Sequence, residues 1–130
     1  MRFELTAEQR RVVECPEPKF PVSASAGSGK TRVLTERYLH FVLERDLSPQ
    51  HILTITFTNK AAAEMKRRIT PGLRNAGRIQ EAQQAEVGPI QTLDSFCQQI
   101  LKENALAAGV DPDFSVRSNH DQMLSHSVRE

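Results

Sequence analysis

Cysteine is scarce in this chain. Cys15 and Cys97 are the only two in 130 residues, they form no C-x-x-C pair, and no histidine stands at ligand spacing from either. Neither a disulfide framework nor a zinc site is suggested, and a reducing compartment is the simpler setting. A long apolar run is missing too. No stretch approaches the 18 or so apolar residues of a membrane helix, and the N-terminal MRFELTAEQRR carries charge where a secretion signal needs an apolar core. The expectation is a soluble, cytoplasmic protein with no membrane partner. Charge of one sign is absent as well: the formal net charge is only +1. Any nucleic-acid contact must therefore come from local clusters such as Lys60, Lys66, Arg67 and Arg68.

What is present suits a globular fold, with 38% hydrophobic and 25% charged residues in a length that fits one domain. Thr6 with Gln9 three residues later is a capping-box arrangement, predicting a first helix over about residues 6–14. Pro16, Pro18 and Pro21 stop it, and KFPVSASA reads as a short extended run. Leu34, Tyr38, Phe41 and Val42 share one face of a helix over about 29–45, the strongest in the chain. After Ser48 and Pro49, HILTITFT reads as an inner strand.

NKAAAEMKRRI reads as a helix with Asn59 near its start and Pro71-Gly72 as its end. The following PGLRNAGRIQEAQQAEVGP reads as a long connection with a helix near 79–86. PIQTL is a third strand candidate. DSFCQQILKENALAAG is a helix capped by Asp94 or Ser95, with Phe96, Ile100, Leu101 and Ala105 inward and Gly109 at its end. This order of elements predicts an α/β fold, a partial parallel sheet flanked by helices. Residues 117–130 are polar, and read as the start of a truncated helical subdomain or a disordered tail.

The chemistry concentrates in ASAGSGKT, residues 24–31. It almost satisfies G-x-x-x-x-G-K-[ST], the loop whose backbone N–H groups cradle phosphates at a helix N-terminus. Ala24 stands where the first glycine belongs, followed by Ser25, Ala26, Gly27, Ser28, Gly29, Lys30 and Thr31. A methyl group is tolerable at that position if φ is negative, while Gly27 and Gly29 lie nearest the lysine, where the backbone must approach phosphate. Lys30 would reach the β- and γ-phosphates and the Thr31 hydroxyl would coordinate Mg²⁺, so these two are the candidate catalytic residues. A plain flexible loop with a solvated lysine is the competing reading. Its place between an extended run and the best helix argues against it.

A phosphate loop alone does not name an activity. Phe57, Thr58, Asn59 and Lys60 leave the end of the second strand as an aromatic ring, a hydroxyl, an amide and an ammonium, a set that could stack on a base and bond the phosphates of a single strand. The same residues could equally be a core ring, a helix cap and a solvated charge.

LTAEQ, ASAGSGKTRVL, ILTITFTNKAAAEMKRRI and IQTLDSFCQQIL, in that order, closely resemble the N-terminal part of UvrD/Rep-type superfamily-one DNA helicases. ALAAGVDPDFSV looks more like the AddA/RecB helicase-nuclease branch. The resemblance implies a RecA-like, three-layer P-loop fold, with residues 1–116 as the N-terminal part of the ATP-binding motor domain. It implies ATP and Mg²⁺ as cofactors, single-stranded DNA as partner, and 3′-to-5′ translocation in DNA repair or recombination. It leaves room for a nuclease subunit or domain. By the same resemblance Gln9 reads the adenine edge, Ala24 to Thr31 hold the phosphates and the metal with Arg32 close behind, and Phe57 to Lys60, Thr92 and Ser95 contact DNA. Asp94 stands where the family usually has histidine, and an acid beside a DNA backbone is unfavourable. The Asp-Glu pair that activates water in this family has no match in these residues, so the chain is expected to be a fragment inactive by itself. A small-molecule P-loop kinase and a non-hydrolysing DNA-binding module are the alternatives.

Overall fold

The computed structural model describes residues 4–27 and 29–116. They fall into two compact units, one within residues 1–93 and one within 94–130.

In the first unit, α1 (Ala7–Glu14) opens with the expected capping box. The Thr6 hydroxyl accepts from Gln9 N at 3.2 Å and the Gln9 carboxamide oxygen accepts from Thr6 N at 3.0 Å, satisfying two N–H groups that a helix start leaves unpaired. The extended run that follows, residues 20–25, forms no strand. Pro18 and Pro21 each remove a ladder donor, and no neighbouring strand pairs with the segment among the described residues.

Helix α2 (Lys30–Leu43) is followed by a single 3₁₀ turn at Pro49–His51 and by β1 (Thr54–Thr56). The strand is shorter than HILTITFT suggested because the turn consumes its start. Helix α3 (Asn59–Asn75) runs through Pro71 and Gly72 rather than ending there. Ile69 and Leu73, on either side of them, are fully buried. At about 1.5–3 kcal/mol for each large side chain, their burial offsets a proline penalty of about 3 kcal/mol. Gly72 has its own reason to be there: a Cβ on it would meet Leu39 Cδ1 of α2 at 3.0 Å.

The expected long connection is thus mostly helix. Gly77 turns the chain with φ +78°, and α4 (Ile79–Val87) follows. Arg78 at the head of α4 bonds Asp46 at 2.7 Å and Glu81 at 2.9 Å, and these two carboxylates push its pKa up. Strand β2 (Ile90–Thr92) then pairs in parallel with β1, Thr54 opposite Ile90 and Thr56 opposite Thr92. The sheet has two strands among the described residues, not three, and its parallel pairing across a helical crossover bears out the α/β class.

Tyr38 and Val42 of α2, Ala62, Met65, Ile69 and Leu73 of α3, Ala82 and Ala85 of α4 and Ile90 of β2 make the core. The small alanines of α4 let it lie close on α3. Burial pushes the Tyr38 phenol up to about 12, and its hydroxyl has no hydrogen-bond partner among the described residues.

In the second unit, α5 (Leu93–Glu103) begins one residue before Asp94, so Asp94 occupies its first turn instead of capping it. A carboxylate there still complements the helix dipole. Ile100 and Leu101 are exposed rather than inward, because the described part of this unit offers them no covering layer. The short α6 (Ala105–Ala108) ends at Gly109, which takes φ +68°, and Ala105 is buried as expected.

Candidate nucleotide-binding site

The phosphate loop and α1 come together at Gln9. A Cβ built on Gly29 would lie 3.3 Å from the Gln9 carboxamide nitrogen, so the glutamine side chain sits against the last loop residue before α2. Gln9, Gly29, Lys30 and Thr31 therefore share one end of α2, although 20 positions separate Gln9 from Gly29.

The loop geometry follows from its small residues. Gly27 has φ +77° and Gly29 φ +80°, both left-handed, a region costing a side-chain-bearing residue about 1–2 kcal/mol. Ala24 is not left-handed, since Asp46 is the sole non-glycine with positive φ among the described residues. That is the condition under which alanine was expected to be tolerable. What position 24 supplies is its carbonyl, which accepts from Lys30 Nζ at 3.2 Å and draws the ammonium back over the loop. Ser25 and Ala26 are exposed, and Ser28 lies outside the described residues.

The head of α2 is open. Its N-cap Gly29 makes no side-chain capping bond, and its first turn has no acidic residue. The positive end of the helix dipole there suits an anion. Thr31 is exposed there, its carbonyl accepting from the Thr35 hydroxyl at 2.9 Å, and Arg32 is half-buried next to it. The donor set fits a polyphosphate with a hard cation: a lysine, N–H groups, and a single hydroxyl that leaves most of the metal's ligands to phosphate and water. No cluster of three or more His, Cys, Asp or Glu residues suits a resident metal among the described residues.

At the sheet's carboxyl end the structure assembles a second group. Because β1 and β2 are parallel, Phe57 leaves one strand beside Thr92 on the other, with the Thr56 hydroxyl donating to Thr58 O at 3.1 Å. Phe57 is 93% exposed, and Asn59 and Lys60 are exposed beyond it. Thr58, not Asn59, is the N-cap of α3, accepting from Ala61 N at 3.1 Å. The Asn59 amide is thereby spared from capping. Thr92 is buried, unlike Phe57, and Ser95 belongs to the second unit. Lys66 donates to Glu86 O and Arg68 pairs with Glu64, so half of the basic cluster on α3 is engaged within the fold.

Arg37 is the residue that the sequence did not single out. From the third turn of α2 its guanidinium donates to the carbonyls of Val12 at 2.6 Å, Val13 at 3.1 Å and Cys15 at 3.2 Å, which close the C-terminal end of α1. No local pattern could have shown this, as the partners lie 22 to 25 positions away.

A family model, the UvrD/REP helicase N-terminal domain, matches residues 5–128. The chain belongs to this family. Among its relatives, the ATP-dependent DNA helicase PcrA of Staphylococcus aureus strain Mu50 is 40% identical over 118 residues, covering 91% of this chain and 15% of that protein. PcrA of Staphylococcus epidermidis strain RP62A is 39% identical over the same length. The chain spans about a seventh of the length of these relatives. No helix among the described residues is long and apolar enough to cross a membrane.

Proposed function

We propose that this chain is the ATP-binding N-terminal segment of a DNA helicase motor, with residues 1–116 forming the first part of a RecA-like domain; the expected subdomain start or tail over 117–130 lies outside the described residues. The observation that carries the reading is Gln9 lying against Gly29 at the uncapped head of α2. A carboxamide can donate and accept, which suits the edge of a base, and it stands beside the groups that suit a triphosphate. In this reading Ala24 to Gly29 wrap the phosphates with backbone N–H groups. The Lys30 ammonium leaves the Ala24 carbonyl for the β- and γ-oxygens, Thr31 ligates Mg²⁺ and Arg32 adds positive potential. Bound ATP supplies the phosphoryl group whose hydrolysis drives movement.

DNA enters through the exposed sheet end. Phe57 stacks on a base, Asn59 and Lys60 bond the backbone, and the Thr58 hydroxyl keeps its proton to donate while it caps α3. Thr92 sets the strand end, and Ser95 contacts DNA from the second unit in its own right. The 3′-to-5′ direction, a role in repair or recombination and a cytoplasmic location belong to this proposal. Likeness to PcrA lends the helicase-nuclease branch no support, and a nuclease domain or subunit is no part of the reading.

Hydrolysis by the complete gene product tests it. Single-stranded DNA is expected to stimulate ATP turnover, Lys30→Ala to lower it by about 10²-fold or more, and Phe57→Ala to weaken DNA binding by about 1–3 kcal/mol without unfolding the protein. Residues 1–130 alone should turn ATP over negligibly, since no Asp-Glu pair is present to activate water. Turnover indifferent to DNA but dependent on a small phosphoryl acceptor would show a kinase instead.

A further inference from the structure

The geometry points to Arg37 as a positioning residue for the base side of the site, acting through α1 on Gln9. This rests on the reading that Gln9 meets the nucleobase. Helix α1 packs along α2 and is fixed to it at both ends. At its start, Gln9 lies against Gly29, and at its end the carbonyls of Val12, Val13 and Cys15 converge on one guanidinium. The spacings match. From Gly29 to Arg37 is about 12 Å along α2, and from Gln9 to Cys15 about 9 Å along the first chain segment, at about 1.5 Å per helical residue. Fixing the far end of a helix this short therefore fixes the near end.

The guanidinium is itself held. Its Cζ lies 4.6 Å from the centroid of the Phe20 ring and 4.6 Å from that of Phe41, so one cation is stacked against two aromatic faces. Phe20 opens the extended run into the phosphate loop and Phe41 belongs to α2, so the cation joins three segments: α1, the loop's approach and the loop's helix. Its planar fork delivers four N–H contacts to three carbonyls, from 2.6 to 3.3 Å, at the negative end of the α1 dipole. A lysine would keep the charge but lose the fork and the stacking.

The consequence is a division of labour along α2. Its first turn serves the phosphates and its third turn serves the base, the latter without touching nucleotide. Losing Arg37 should relax the choice of base and spare phosphate binding.

The test uses the complete gene product in wild-type form and as Arg37→Lys, Gln9→Ala, the double variant and Lys30→Ala, with the affinities of ATP and inorganic tripolyphosphate measured by calorimetry. Arg37→Lys is expected to cut the preference for ATP over tripolyphosphate by about tenfold, with tripolyphosphate affinity unchanged. Added to Gln9→Ala, it should cost nothing further, because both act through one amide. Equal loss for both ligands, or an Arg37→Lys protein that keeps its preference while Gln9→Ala loses it, overturns this inference alone. Wild-type affinities no higher than those of Lys30→Ala overturn the nucleotide reading with it. Should Arg37→Lys melt below the assay temperature, Phe20→Leu, which removes one stacking ring and keeps the four bonds, makes the same comparison with the same outcomes.

Discussion

Gly29 and Gly27 take nearly the same left-handed conformation, yet they answer to different constraints. A Cβ at Gly27 meets nothing within 4 Å, whereas one at Gly29 meets the Gln9 amide at 3.3 Å. Gly27→Ala should therefore cost only the conformational term, about 1–2 kcal/mol. Gly29→Ala carries that cost and also pushes Gln9 aside, so it should weaken ATP more than tripolyphosphate, by several-fold, while Gly27→Ala weakens both alike. Thermal melts and titrations of the two variants check this. The residue types at this site could be read from the sequence because a phosphate loop is a contiguous motif: Gly27, Gly29, Lys30 and Thr31 lie at fixed offsets. Arg37 could not, since its three carbonyl partners lie in a helix that only tertiary packing brings near.

Elements were legible to the degree that their signals were local. The capping box of α1 depends on Thr6 and Gln9 alone and forms as the sequence indicates. The end of α3 does not, because Pro71 and Gly72 ordinarily mark a stop while the buried Ile69 and Leu73 carry the helix through them. The extended run over residues 20–25 failed for the related reason that a strand exists only with a partner. The breakers in α3 should respond oppositely to the same substitution. Pro71 is exposed, so Pro71→Ala restores a donor to the Arg67 carbonyl and should stabilise the unit by about 1–2 kcal/mol, the proline penalty less the entropy the unfolded chain regains. Gly72→Ala raises helix propensity but presses on Leu39, whose Cδ1 would lie 3.0 Å away, and should destabilise by about 1–3 kcal/mol. Urea titrations showing opposite shifts in midpoint at constant slope are the expected result, and shifts of one sign would refute the packing account.

At the scale of the molecule, a net charge of +1 gives no general attraction to nucleic acid, so contact with DNA depends on which basic groups the fold leaves outward. Of the four around α3, Lys66 is turned to the Glu86 carbonyl and Arg68 to the Glu64 carboxylate, while Lys60 and Arg67 are exposed. Two outward cations on this element neutralise about two phosphates of a single strand, and each contributes about −0.7 to the slope of log K against log salt. Residues 1–130 should therefore bind single-stranded DNA with a shallow slope of about −1.4, most of the affinity coming from stacking on Phe57, which salt does not screen. Lys60→Ala should flatten the slope by about 0.7 with a modest loss of affinity, whereas Phe57→Ala should lower affinity at every salt concentration and leave the slope alone. Fluorescence anisotropy over a salt series separates the two effects. A slope several times steeper would mean that cations elsewhere in the chain carry the strand, and that the exposed end of the parallel sheet is not its path.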